Sequence, residues 1–150
     1  MFQGHANCTL DNKSRIILPA KFRKNINPEV NKLIITRGME KSLLVYPNDE
    51  WLKLTSVLKN FNLFNPEERS FIRSFLMYAH EVELDAQSRI LLTQDLLEFA
   101  NIKKDIIVLG LLDKLELWDP KTKSKYDNSQ EKSYEEIASL VASKVNSINV

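Results

Sequence analysis

The sequence predicts an α+β, strand-rich fold in which two tandem copies of one unit share a single core. Three observations predict it. The block Leu10-Asp11-Asn12-Lys13-Ser14-Arg15-Ile16-Ile17-Leu18 recurs as Leu84-Asp85-Ala86-Gln87-Ser88-Arg89-Ile90-Leu91-Leu92, at an offset of 74. A second block, Leu33 to Pro47, recurs as Ile106 to Pro120 at an offset of 73, so a one-residue gap reconciles the two. Within both copies the apolar residues alternate as in half-buried strands. Two units are too few for a solenoid, so a pseudo-twofold pair is expected.

Each unit opens with a strand. Ala6, Cys8 and Leu10 alternate with Asn7 and Thr9, and Val82 and Leu84 with Glu81 and Glu83. A polar turn follows, Asp11–Ser14 or Asp85–Ser88, which Asp opens well because its carboxylate accepts from backbone N–H groups two residues on. Then come a short aliphatic strand, Ile16–Leu18 or Ile90–Leu92, and a helix of two to three turns. Pro19 suits the first helical position in one copy and Thr93 the N-cap in the other. A hairpin closes each unit, Leu33–Thr36 with Leu43–Tyr46 and Ile106–Leu109 with Leu115–Trp118. Gly38 and Gly110 sit in these hairpins, where positive φ is the usual need.

Two helices should link the copies. Asn48 would cap the first, with Trp51, Leu54 and Leu58 on one face. Asn65-Pro66-Glu67-Glu68 is a strong helix start, and Phe71, Ile72, Phe75, Leu76 and Ala79 form the stripe behind it. Lys121–Lys132 reads as a polar stretch. Tyr134, Ile137, Leu140, Val141 and Val145 then mark an amphipathic tail helix. The organisation expected is therefore repeat one at 5–47, linking helices at 48–77, repeat two at 78–120 and a tail at 121–150.

Composition excludes several classes. No apolar run approaches the roughly 20 residues that span a bilayer. Met1 to Leu10 lacks the basic and apolar regions of a secretory signal. Cys8 is the only cysteine, so no intrachain disulfide can form, and a reducing, cytoplasmic setting is the simple expectation. His5, His80 and Cys8 have no metal-ligand spacing, so neither metal nor cofactor is expected. No phosphate-cradling glycine loop exists in a chain with 3 glycines. Cys8 lies on the apolar face of its strand, where a buried structural thiol is favoured over a nucleophile.

Net charge is only +1, but it is directional. Residues 1–41 carry eight Lys/Arg against three Asp/Glu, and residues 42–150 carry thirteen against seventeen. A basic first third on a near-neutral protein has the form of an electrostatic binding face. The Asp-x-x-x-Arg turns are the sharpest feature within it. In one reading, Asp11 with Arg15 and Asp85 with Arg89 brace their turns by charge-assisted hydrogen bonds. In the other, the turn offers its side chains to phosphates and base edges, which the planar guanidinium meets bidentately. Lys13, Lys21 and Arg23 become Gln87, Asp95 and Leu97 in the second copy, and residues 81–120 hold nine acids against four bases. The first copy is therefore expected to face DNA through Asn12, Lys13, Ser14, Arg15, Lys21 and Arg23. For Arg89 the bracing role is favoured.

The residues also resemble one family. Met1-Phe2-Gln3-Gly4-His5, the run from Leu10 to Arg23, Thr36-Arg37-Gly38, Val45-Tyr46-Pro47, Trp51 and the run from Glu83 to Leu92 are similar to MraZ proteins, in order and spacing, over about residues 1–120. The resemblance implies tandem SpoVT-AbrB-type swapped-hairpin units packed into one pseudo-twofold β-barrel. It implies a nucleoid-associated transcriptional regulator of a division and cell-wall operon that includes its own gene. It further implies binding to short direct repeats in promoter DNA, by a ring-shaped homo-oligomer. Ser14 and Ser88 stand where the family usually has glycine, so the turn is expected to avoid a glycine-only conformation. Thr93-Gln94-Asp95 replaces the Pro-Ala-Lys segment of the first copy, and no family pattern is evident beyond Pro120.

Three functions compete at this point. A DNA-binding regulator leads. A protein-binding module, as in antitoxins on the same fold, would use the tail at 131–150 to clamp a partner. An enzyme would need a nucleophile–base pair or a metal set, and neither is visible. No small-molecule substrate and no membrane partner are expected.

Overall fold

The structure, a computed structural model, describes residues 1–145, so positions 146–150 of the expected tail lie outside the described residues. The first unit contains β1 (His5–Thr9), β2 (Arg15–Ile17), α1 (Ala20–Arg23), β3 (Lys32–Arg37) and β4 (Leu43–Pro47). Helices α2 (Asn48–Leu58) and α3 (Pro66–Met77) follow. The second unit repeats the order with β5 (His80–Glu83), β6 (Arg89–Leu91), α4 (Gln94–Ala100), β7 (Asp105–Leu111) and β8 (Lys114–Trp118). Helices α5 (Pro120–Ser129) and α6 (Tyr134–Lys144) end the described chain.

The two units exchange strands. The larger sheet runs β1-β7-β8-β4-β3-β5, an order that maps onto itself when the copies are swapped. Each opening strand pairs with the other unit's hairpin: Cys8 lies opposite Ile106, and Val82 opposite Leu33. β2 and β6 form a separate antiparallel ribbon centred on the Ile16–Ile90 pair. Strands β1 and β5 remain edges, so the hydrogen-bonded sheet among the described residues is open rather than a closed barrel.

Successive side chains of a strand point to opposite sides, which sorts these apolar strands between two clusters. Leu33, Ile35, Leu43 and Val45 join Ile16, Leu18, Ile90, Leu92, Ile106 and Val108 in one core that draws on both units. Ile16 and Ile90 face each other at its centre, 1% and 0% exposed. The opposite face of β3 and β4 is covered by α2 and α3, where Leu44, Tyr46, Leu58 and Phe75 form a second cluster. Trp51 stacks on Phe75 at 5.7 Å and Phe71 on Phe75 at 5.4 Å between ring centroids. Both faces of β4 are thereby buried, which explains its unbroken apolar run.

Several local expectations change. α1 is one turn long, because Asn25 and Ile26 tighten into three-residue hydrogen bonds to Phe22 and Arg23 and Pro28 soon follows. Pro19 and Pro47 are the N-caps of α1 and α2, so Asn48 is already helical. Thr93 occupies the N-cap of α4, but its hydroxyl binds the Asp95 carboxylate instead of a backbone N–H. Asn65 caps α3 as expected, accepting from Glu67 N at 2.9 Å and Glu68 N at 3.2 Å. Leu76, expected on the apolar stripe of α3, is 41% exposed.

Neither Gly38 nor Gly110 has positive φ; both are needed for close approach. A Cβ on Gly110 would sit 2.4 Å from Gln3 N, and one on Gly38 would sit 2.4 Å from Ser42 Oγ. The polar stretch after Trp118 is the helix α5, started by Asp119 accepting from Thr122 N at 2.9 Å and by Pro120 at its first position. Tyr126 from this helix packs on Trp118, ring to ring at 5.6 Å. The tail helix α6 does form, and Ser133 caps it through Glu136 N. No described helix is long and apolar enough to cross a membrane.

Candidate nucleic-acid interface

Both polar turns are built the same way. Asp11 Oδ1 accepts from the backbone N–H of Lys13 at 2.8 Å and of Arg15 at 2.9 Å, and Oδ2 accepts from Arg15 Nε at 2.9 Å. Asp85 repeats the set with Gln87 N at 2.9 Å, Arg89 N at 2.9 Å and Arg89 Nε at 2.8 Å. The donated backbone N–H of the arginine, followed by the other donors, holds each aspartate below the usual carboxylate range against some opposing desolvation. The bracing reading is therefore realised in both copies.

Bracing leaves the guanidinium tip available. The aspartate engages only Nε, so the two Nη groups of Arg15 have no hydrogen-bond partner among the described residues. Arg89 differs, since its Nη2 donates to Gln87 Oε1 at 3.0 Å. The substitution of Lys13 by Gln87 thus ties down the second arginine as well as removing a charge.

The ribbon fixes where these arginines point. Arg15 lies opposite Leu91 and Arg89 opposite Ile17. With Ile16 and Ile90 turned into the core, the alternation of a strand places Arg15, Ile17, Arg89 and Leu91 together on the outer face. Two residues of rise and one strand spacing separate the arginine Cα positions by about 8 Å. The turns also lock each other: Leu18 N donates to Ser88 O and Leu92 N to Ser14 O, each at 2.9 Å.

Ser14 and Ser88 both have φ of 61°, the left-handed region that favours glycine. Serine enters this region less readily than glycine but does enter it, so the turn is strained for serine without being a glycine-only conformation. Ser88 has a partner that Ser14 lacks among the described residues. Arg23 Nη1 donates to Ser88 Oγ at 2.7 Å, across the unit boundary. Arg23 Nε is buried with no partner.

The remaining residues expected to meet DNA divide by position. Asn12 and Lys13 are exposed at the tip of the first turn. Lys21 is exposed at the start of the fold, with Nζ against the His5 carbonyl and 5.3 Å from the Phe22 ring centroid. The Cys8 thiol donates to Ile17 O at 3.5 Å, and burial pushes its pKa up. No group of three or more His, Cys, Asp or Glu side chains is placed to hold a metal ion among the described residues. The sequence reading missed Ser88 as the partner of Arg23. The available signal was the change from Arg23 to Leu97 at matching positions, which marks one half as having a hydrogen bond to make and the other as not.

The fold and this face define a class: a tandem protein of two strand-exchanged units whose outer ribbon carries two aspartate-braced arginines. A family model described as "MraZ protein, putative antitoxin-like" matches residues 1–74 and again residues 75–142. The chain is 40% identical over 141 residues to a protein named "Transcriptional regulator MraZ" from Halothermothrix orenii, covering 94% of this chain and 96% of that one. It is 45% identical over 129 residues to a protein of the same name from Clostridium beijerinckii, covering 86% and 89%. The chain belongs to the MraZ family. The match reaching residue 142 corrects the expectation that family likeness stops at Pro120.

Proposed function

We propose that this protein is a sequence-specific DNA-binding transcriptional regulator whose contact surface is the first Asp-x-x-x-Arg turn and the β2–β6 ribbon. The observation that carries the proposal is the Arg15 guanidinium, held in place by Asp11 through Nε with both Nη groups left to donate. A fork fixed at its base and free at its tip suits bidentate recognition of guanine or phosphate. The names of its relatives, transcriptional regulators at 40% and 45% identity, favour the same reading.

In this mechanism no bond is made or broken. Lys13 and Lys21 neutralise phosphates and release counterions, Asn12 and Ser14 donate from the turn, and Arg15 reaches a base edge. Arg23 contributes charge beside them while pinning Ser88. Arg89, with its Nη2 tied to Gln87, serves mainly its own turn. Repeat one at 5–47 is the reading unit, repeat two at 78–120 completes the fold, helices at 48–77 link them, and 121–150 is an appended tail. The strand exchange favours two SpoVT-AbrB-type swapped-hairpin units arranged about a pseudo-twofold axis. The DNA is short direct repeats in the promoter of its own division and cell-wall operon, read in the cytoplasm at the nucleoid. A ring of copies would engage several repeats at once, and effective concentration would then compensate for modest contacts per protomer.

A gel-shift titration with the upstream region of its own operon tests the proposal. Arg15→Ala should weaken binding by about 1–3 kcal/mol per site, roughly 5- to 150-fold. Unchanged affinity in a folded Arg15→Ala protein sinks the assignment.

One observation favours a second reading. Helix α6 exposes Tyr134, Ile137, Leu140 and Val141 at 82%, 41%, 49% and 54%. A stripe of this kind suits capture of a partner protein, as in antitoxin-type modules. Deleting residues 131–150 should then abolish partner capture and spare DNA binding; loss of DNA binding alone would count against it.

A further inference from the structure

The outer face of the β2–β6 ribbon carries two side chains that bracing does not explain. Ile17 is 58% exposed and Leu91 is 48% exposed. Outward positions on the two edge strands are polar: His5, Asn7 and Thr9 on β1, Glu81 and Glu83 on β5. Among the described residues the ribbon places an exposed aliphatic once in each unit, two residues after the arginine, whereas the other exposed strand aliphatic, Leu111 at the end of β7, is 38% exposed and has no such counterpart. Leu91 stands directly across from Arg15, and Ile17 follows Arg15 on the same face. Arg15 is thus flanked by an exposed aliphatic along its strand and another across it.

We propose that Ile17 and Leu91 are specificity residues that pack against thymine C5-methyl groups in the major groove, next to the base contacted by Arg15. This rests on the DNA-binding function proposed above. A two-stranded ribbon fits the major groove, where thymine displays the one apolar group on any base edge. Two residues of strand cover about 6.7 Å, close to two base-pair steps of about 3.4 Å each. Arginine and aliphatic on one strand therefore address bases about two steps apart. The cations left unpaired beside the patch point to the occupant: Asp11 and Asp85 pair the two arginines through Nε, but both Nη groups of Arg15 and the exposed Lys13 remain to meet an anion, which favours a polyanion over an apolar protein face. Phosphates and guanine satisfy the cations, and thymine methyls satisfy the aliphatics between them.

The test uses the full-length protein and a duplex carrying the upstream repeats of its own operon. In a matched duplex each thymine of the repeat is replaced by uracil, which removes the methyl and keeps every hydrogen-bonding group. Wild-type protein should bind the uracil duplex more weakly, by about fourfold for each methyl that is packed. Ile17→Ala and Leu91→Ala should weaken binding to the thymine duplex by a similar factor and should lose the thymine-to-uracil difference at their own positions. The uracil comparison with wild-type protein needs no variant, so a folding defect cannot hide the answer. Equal affinity of wild-type protein for both duplexes overturns the inference while leaving the DNA-binding function standing. A variant that changes the mass of the assembled particle, with the thymine-to-uracil ratio intact, also overturns it by assigning the aliphatics to contacts between copies. Failure of wild-type protein to bind either duplex removes the function itself and the inference with it.

Discussion

The two serines at φ 61° permit a comparison in which most of the energetics cancel. Replacing either with glycine relieves the same left-handed strain and adds the same backbone freedom to the unfolded chain. What differs is the hydroxyl. Ser88 Oγ accepts from Arg23 Nη1 at 2.7 Å, whereas the position matching Arg23 in the other unit is Leu97, which lines the same surface depression as Ser14. Ser88→Gly therefore removes a charge-assisted hydrogen bond and leaves Arg23, whose Nε already lacks a partner, with less. Such bonds contribute about 1.5–3 kcal/mol, and water can replace part of this at a half-buried guanidinium, so about 1–2 kcal/mol should separate the variants.

Thermal unfolding followed by circular dichroism, without DNA, reads this directly. Ser14→Gly should be neutral or slightly stabilising. Ser88→Gly should melt about 2–8 °C below Ser14→Gly, given roughly 2–4 °C per kcal/mol for a chain of this size. The cycle closes in an Arg23→Leu background, where Ser88→Gly should lose its excess cost. Equal melting shifts for the two glycine variants would refute the asymmetric brace and leave Arg23 free to be a plain DNA contact.

Other consequences follow from the same geometry. Asp11 and Asp85 titrate below their ordinary range, so the stability they supply is present above the unfolded-state value of about 3.9 and is lost as pH falls through the lowered folded value; melting temperature measured down through that window should fall, and less steeply in Asp11→Asn and Asp85→Asn. Lys13→Ala should weaken DNA binding across sequences and reduce the slope of log affinity against log salt by about 0.9, which titrations at several salt concentrations measure. Ile16→Ala should cost about 2–5 kcal/mol in urea unfolding, since the side chain is 1% exposed at the pseudo-twofold centre. Gly110→Ala should cost about 1–3 kcal/mol in the same assay, because the new Cβ meets backbone atoms of Phe2 and Gln3 that cannot rotate away.

Much of this is legible in the sequence. The repeat announced the duplication, apolar runs marked Ile16–Leu18, Ile90–Leu92 and the closing hairpins as strands, and Asp-x-x-x-Arg offered its own hydrogen bonds as one of two readings. Those are local properties, set within a few residues. The exchange of β1 and β5 between units was not derivable from pattern, because Cys8 would alternate identically whether it paired with its own hairpin or the other. Helix α5 was missed for a different reason. Asp119-Pro120 is the same cap-and-proline start that identified Asn65-Pro66, but Lys121–Ser129 has no apolar stripe behind it. There the helix is held by its cap and by Tyr126 against Trp118. At Gly38 and Gly110 a hairpin position suggests a turn conformation, while the actual demand is room: for the Ser42 hydroxyl across the same hairpin at Gly38, and for the distant backbone of Phe2 and Gln3 at Gly110.

The exchange bears on why one chain carries both units. In a symmetric dimer of a single unit, every turn would have to be both reader and brace, and a residue placed for one role would appear in both. Covalent linkage lifts that restriction. Arg23 can reach Ser88 while its counterpart Leu97 is apolar, and Lys13 can stay exposed while Gln87 ties the second arginine. Because β2 and β6 pair directly, the arginines that follow these unlike turns stand about 8 Å apart on one rigid ribbon, with a turn at each end of it. A site read by this face would therefore be asymmetric even though the fold is nearly symmetric. Such a face would read each site in one orientation, as the proposed direct repeats require, and argues against a palindrome centred on one protomer.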